Sequence, residues 1–308
     1  MIASPSTHPD LYWALRGSGN NFGIVTSFNL LTKPLPNDLL WGGTRSFTSD
    51  AFPTVVKTWI DLTFHSSQDP KAGSWIAFLN TGGLNIAAVE LWYGAPNGRE
   101  AAILAPWWNI TAVADNTKTR GHAEYVVANE ASIVYGLREI YYDISVQASY
   151  IIAQRSIDIF YAAITALDGV ENAYPVLIWQ HITAGSLKAS TRNGGNAMSL
   201  DPEGGPLHVV QLACSWSNAA DDDKVYKVMS DIMRTIKEES VALGVQSDWV
   251  YMNYASQFQD VIASYGPSKS KLQSIAKKYD PKGVYQTLQP GYFKLDRAPI
   301  VDARYFSH

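Results

Sequence analysis

"DLYWALRGSGNNFGIVTSFNLL", residues 10–31, is the stretch on which the reading of this chain turns. Asp10 to Gly17 reads as a short helix halted by a glycine. Phe22 to Lys33 reads as a strand closed by Pro34 and Pro36. The loop between them carries Gly17, Gly19 and Gly23, and a backbone so rich in glycine lets a ligand come close. The rest of the chain decides which ligand.

Bulk properties narrow the classes. At 308 residues the chain can bury one large core or two smaller ones. Its formal net charge of −4 shows no basic stripe, so no nucleic-acid partner is expected. No window approaches the ~20 apolar residues of a membrane-spanning helix, so no membrane partner is expected either. The opening "MIASPSTHPD" has neither a basic start nor an apolar run, which argues against a secretory leader and for a cytoplasmic location. The single cysteine, Cys214, lies in the apolar run "LHVVQLACSW" and reads as a buried core residue. No spacing of Cys and His suits a metal. Ten Trp and seventeen Tyr fill a core by default, and they also line pockets for flat organic molecules.

Periodicity predicts helices over 50–66, 98–108, 157–169, 221–244 and 268–281. It predicts strands over 74–82, 84–94, 149–157, 174–185 and 207–217. Asp221 to Asp223 fall in the first turn of the longest helix, where carboxylates suit the dipole. The end, "LDRAPIVDARYFSH", reads as an extended surface tail. Strands grouped with helices, without regular βαβ alternation, predict an α+β fold: an antiparallel sheet backed by helices.

Four stretches carry a resemblance. "HPDLYWALRGSGNNFGIVTSF" (8–28) is similar to a segment of FAD-linked oxidases of the vanillyl-alcohol-oxidase superfamily, in the berberine-bridge-enzyme-like branch. "YMNYASQFQDVIASYG" (251–266) and "KKYDPKGVYQTLQPGYFKL" (277–295) resemble that family's C-terminal signature in order and spacing. "NGGNAMSL" (193–200) resembles a segment of fungal members that serve secondary metabolism. The resemblance implies a substrate domain between two parts of a flavin domain: 1–38 as a remnant of the N-terminal flavin part, 39–248 as the substrate domain, 249–308 as the C-terminal return. It implies that the backbone matching Gly19, Asn21, Gly23 and Val25 passes near the flavin, and that the segment matching Tyr251, Asn253 and Tyr254 approaches its ring.

Family members also carry an N-terminal portion whose glycine-rich loop wraps the FAD diphosphate, and nothing in this sequence matches it. A diphosphate is met by several backbone N–H groups or by cations. "RGSGNN" (16–21) offers Arg16 alone, behind a helix C-terminus where the dipole repels anions. The expectation is therefore a standalone protein without a cofactor, FAD being the alternative if the missing half is supplied. Self-association, or a partner covering the exposed flavin-side face, is expected too. The expected function is a cofactor-independent enzyme of secondary metabolism that cyclises or isomerises a small organic substrate, because a shaped cleft can orient a flexible molecule for ring closure. The alternatives are the C-terminal portion of an FAD-dependent oxidoreductase, or a non-catalytic ligand-binding or partner subunit.

Alternation along strands supplies candidate residues. Trp179 and His181 share one face and Gln180 takes the other; Glu90 and Trp92 share a face and Tyr93 opposes them. The catalytic candidates are His181, Glu90, Tyr251, Asn253 and Tyr254. His181 suits a general base or donor near neutral pH, against the reading of a satisfied structural histidine. Glu90 suits a base raised by aromatic surroundings, against a solvated or salt-bridged carboxylate. Tyr251, Asn253 and Tyr254 compete with a structural polar network. Substrate contacts are expected from Trp179, Gln180, Trp92, Tyr93, Gln211 and Asn196. His208 reads as a surface residue.

Overall fold

The computed structural model describes residues 1–130, 134–289, 291 and 293–307, and of residues 129 and 130 only the backbone. Pro290 and Tyr292 of the C-terminal signature, and His308 of the tail, lie outside the described residues.

Among the described residues one antiparallel sheet organises the molecule. Its strands are β1 (Leu39–Thr48), β2 (Ala72–Thr81), β3 (Leu84–Tyr93), β4 (Ala114–Asp115), β5 (Lys118–Gly121), β6 (Arg138–Gln147), β7 (Tyr174–Ile182), β8 (Leu207–Trp216) and β9 (Gln246–Ser247). Their spatial order is β4-β1-β3-β2-β7-β8-β6-β9, with β5 also paired to β1. The helices are α1 (Pro9–Leu15), α2 (Phe52–His65), α3 (His122–Glu130), α4 (Tyr150–Ala163), α5 (Ala184–Ser190), α6 (Asp222–Ala242), α7 (Ser268–Tyr279) and α8 (Val284–Thr287).

The register assigns each side chain to a face, because residues directly opposite in an antiparallel ladder point the same way. One row runs Val89, Ile76, Trp179, Val210, Ile144. It is buried with Trp59 of α2, Phe160 of α4 and Met229 of α6 in the larger core. Each such large side chain contributes roughly 1.5–3 kcal/mol by leaving water. The opposite row runs Thr44, Glu90, Trp75, Gln180, Val209. On that side a smaller core joins Val209 to α1, α7 and the segment 249–265. β8 is almost wholly apolar because both of its faces are covered. Cys214 is buried and free.

Four readings of the sequence need correction. Residues 149–157 are helix α4, not a strand: Ile152, Ala153, Ser156, Ile157 and Phe160 are buried at helical spacing. Residues 98–108 form 3-10 turns around Pro106, not an α-helix. The tail folds back, with Tyr305 and Phe306 buried, the Tyr305 hydroxyl donating to Asp223 and the Phe306 N–H to Ser230. Phe22 to Lys33 pairs with no strand among the described residues. Ile24, Phe28, Leu30 and Leu31 are 73%, 74%, 80% and 92% exposed, so the apolar pattern that suggested a strand has no neighbour to bury it.

Candidate functional site

An open cleft of about 770 Å³ lies where β2, β3, β7, the end of α2 and α5 converge. Trp75 and Gln180 stand side by side in the open-face row, and Trp92 lies one step along. The Trp92 indole rests on the backbone of Gly73, where a Cβ would come within 2.2 Å of the ring. Only glycine admits that contact, so Gly73 sets the depth of this wall.

Tyr254 closes the cleft from the opposite side. Gln180 Nε2 donates to its hydroxyl at 3.1 Å. The Tyr251 and Tyr254 rings meet edge to face at 5.0 Å, and Asn253 Nδ2 donates to the Tyr251 hydroxyl at 2.7 Å. This turn is anchored to β6. The Tyr251 N–H donates to Asp143 Oδ2 at 2.7 Å. Gln259 accepts from the N–H of Asp143 and donates to its carbonyl at 2.8 Å. Asp143 is fully buried and its Oδ1 finds no partner. Burial raises its carboxyl well above the ordinary range, more than the Tyr251 N–H lowers it, which favours the protonated acid.

His181 borders the cleft, but its ring turns toward the helices. It stacks on Trp59 at 4.2 Å, and its Nδ1 meets the Thr63 hydroxyl at 2.6 Å. His208 Nε2 meets the same hydroxyl at 3.0 Å. Burial pushes His181 down to about 3 and His208 well below its usual value, His181 adding to the latter. Both rings are therefore neutral near pH 7. His181 Nε2 is shut off from solvent, which limits proton exchange with anything in the cleft. His208, expected at the surface, is fully buried.

The remaining candidates scatter. Glu90 is buried beside Thr44 in the open-face row, accepting from the Thr44 and Tyr125 hydroxyls at 2.5 Å each, and among the described residues it is neither solvated nor ion-paired. Trp179 is sealed in the larger core. Tyr93 faces the same side and donates to Asp69 at 2.7 Å, the carboxylate pushing its phenol up to about 12. Gln211 lies beside Asp143 beneath the 249–265 segment. Asn196 shapes a loop, donating to Ser190 and accepting from Met198. Asn21 is buried and ties Ser18 to Phe293. Gly19 turns with positive φ against Met252, while Gly23 and Val25 lie on the exposed strip. The cleft thus unites Gln180, Trp92 and Tyr254, with Tyr251 and Asn253 behind them. The sequence reading passed over Trp75, Gly73, Arg192, Asp143 and Gln259. Alternation in "GSWIAF" was the available signal for Trp75.

No family model matches the chain. The FAD-dependent monooxygenase prx3 of Penicillium roqueforti is 29% identical over 96% of this chain, which spans 60% of that relative. Among solved structures, 6-hydroxy-D-nicotine oxidase of Arthrobacter nicotinovorans superposes with a TM-score of 0.67 at 17% identity, covering 97% of this chain and 62% of that one. The berberine-bridge-enzyme-like 1 protein of Physcomitrella patens gives 0.66 at 16% identity, covering 96% and 62%. This chain shares its fold with FAD-linked oxidases of the vanillyl-alcohol-oxidase and berberine-bridge-enzyme type and is similar in sequence to fungal FAD-dependent monooxygenases, spanning about 60% of their length.

Proposed function

We propose that this chain forms the substrate-holding side of a secondary-metabolite enzyme, divided into segments 1–38, 39–248 and 249–308, and that its cleft folds a flat organic substrate for redox-neutral cyclisation or isomerisation. One observation carries the reading: two neutral donors, the Gln180 amide and the Tyr254 hydroxyl, stand beside Trp75 and Trp92 in one open cleft. Indole faces hold a conjugated ring, and paired donors polarise a carbonyl on it. Orientation then supplies the rate, up to ~7–11 kcal/mol in the best intramolecular cases.

The FAD of the relatives was tested against the residues present. A diphosphate needs cations or free N–H groups. Near the Gly19–Gly23 loop, Arg16 already donates to the carbonyls of Arg192 and Gly195, and Lys294 to Asn20 and the Tyr285 carbonyl. With these two cations engaged, the described residues offer the diphosphate no free countercharge beside the loop. A second reading, FAD-dependent oxidation with the flavin-binding part supplied by another segment or chain, is favoured by the exposed apolar strip at 24–31.

The deciding experiment loads the purified chain with FAD, removes the excess by gel filtration and reads the visible spectrum. A colourless protein whose tryptophan fluorescence is quenched by conjugated ligands, less so in Trp92→Phe, supports the first reading. Flavin retained at stoichiometric occupancy transfers the function to the second.

A further inference from the structure

We propose that the cleft selects an oxyanion, a flat conjugated carboxylic acid or enolised 1,3-dicarbonyl, through the guanidinium of Arg192. This deepens the proposed function and rests on the cleft being the substrate site. The charge around the cleft carries the argument. Among the described residues no Asp or Glu lines it, and its one imidazole, His181, is held neutral by burial. Arg192 is the sole charged lining residue among those described, in a protein whose net charge is −4. Among the described residues its guanidinium enters no ion pair and no hydrogen bond. Of the cations nearby, Arg16 donates to two carbonyls, Lys188 lies 3.8 Å from Glu203, and Lys71 sits over the Tyr93 ring.

The loop that bears Arg192 is held in place. Arg16 Nη1 donates to the Arg192 carbonyl at 2.7 Å, and the Gly195 N–H donates to the same carbonyl at 3.2 Å. Asn193 takes a left-handed conformation there, at φ 55. An arginine on a braced backbone offers a planar fork suited to two oxygens of one delocalised anion. The ring of such an anion lies against the indoles, and its oxygens face the guanidinium. Gln180 and Tyr254 remain for a neutral carbonyl elsewhere on the molecule.

The probes are 6-hydroxy-2-naphthoate and its methyl ester, followed by tryptophan quenching in the wild type, Arg192→Gln and Trp92→Phe. The wild type should bind the acid at least about tenfold tighter than the ester, the preference shrinking with added salt. Arg192→Gln should bring the acid to the ester's affinity and leave the ester unchanged. Equal binding of both probes by the wild type, or an acid preference that survives Arg192→Gln, overturns the proposal while the cleft stands as the binding site. Failure of both probes to bind, or quenching indifferent to Trp92→Phe, removes the cleft itself and this inference with it.

Discussion

Acidification should weaken this fold through two histidines, and the size of the loss follows from their burial. An unfolded histidine takes its proton near 6.5; His181 in the folded chain does so only at about 3, and His208 lies well below its usual value. Above pH 6.5 neither state carries the proton and stability is unaffected. As the pH falls below that value the unfolded chain gains protons that the folded chain refuses, so stability drops. At about pH 5 the loss through His181 is 1.5 pH units at 1.36 kcal/mol each, about 2 kcal/mol, and His208 acts in the same direction. Asp143 acts oppositely above the ordinary aspartate range, because burial makes its folded acid hold a proton that the unfolded carboxylate loses sooner. The wild type therefore reports a net value, and variants separate the contributions. Urea melts at about pH 7.5 and 5 should show that His181→Gln reduces the acid-induced loss by about 2 kcal/mol and that His208→Gln reduces it too. Identical pH dependence in the wild type and both variants would refute the assignment of two neutral imidazoles.

Asp143→Asn should abolish the opposing trend: stability relative to wild type rises with pH above the ordinary aspartate range, as read by the same melts. Gly73→Ala drives a Cβ into the Trp92 ring and should cost about 1–3 kcal/mol while weakening ligand quenching of tryptophan fluorescence. Thr63→Val strips both imidazoles of their shared partner and should cost about 1–3 kcal/mol in denaturant unfolding. Tyr254→Phe removes a cleft hydroxyl and should lower turnover about tenfold or more once a substrate is in hand, with unchanged thermal unfolding. Phe28→Ser with Leu31→Ser should reduce self-association in light scattering, since both side chains stand in water.

Much of the architecture was legible because period-two and period-3.6 patterns record which side is covered. The strands 174–182 and 207–216 and the helix 222–242 show this plainly. β1 escaped notice because Gly42 and Gly43 interrupt its pattern; Gly42 would crowd the Leu91 carbonyl if it bore a Cβ. β6 escaped because Asp143 and Ser145 look solvent-facing, although both are buried under the 249–265 segment. Residues 149–157 read as a strand because Ile151, Ile152 and Ile157 favour one in isolation, and packing against α6 overrides that preference. In the site, alternation assigned His181 and Gln180 to opposite faces correctly. It could not say which face is open, since that depends on where 249–265 lies. The fold is thus written in local pattern, and the cleft in contacts more than a hundred residues apart, such as Tyr251 on Asp143.

Thr63 has a single hydroxyl proton to give, and two ring nitrogens face it, at 2.6 and 3.0 Å. At most one of those nitrogens can be a bare acceptor; the other must bring its own hydrogen. The tautomers of His181 and His208 are therefore not independent choices. One rotating hydroxyl links the edge of the cleft to the middle of the helix-side core, and a change of tautomer at either ring constrains the other.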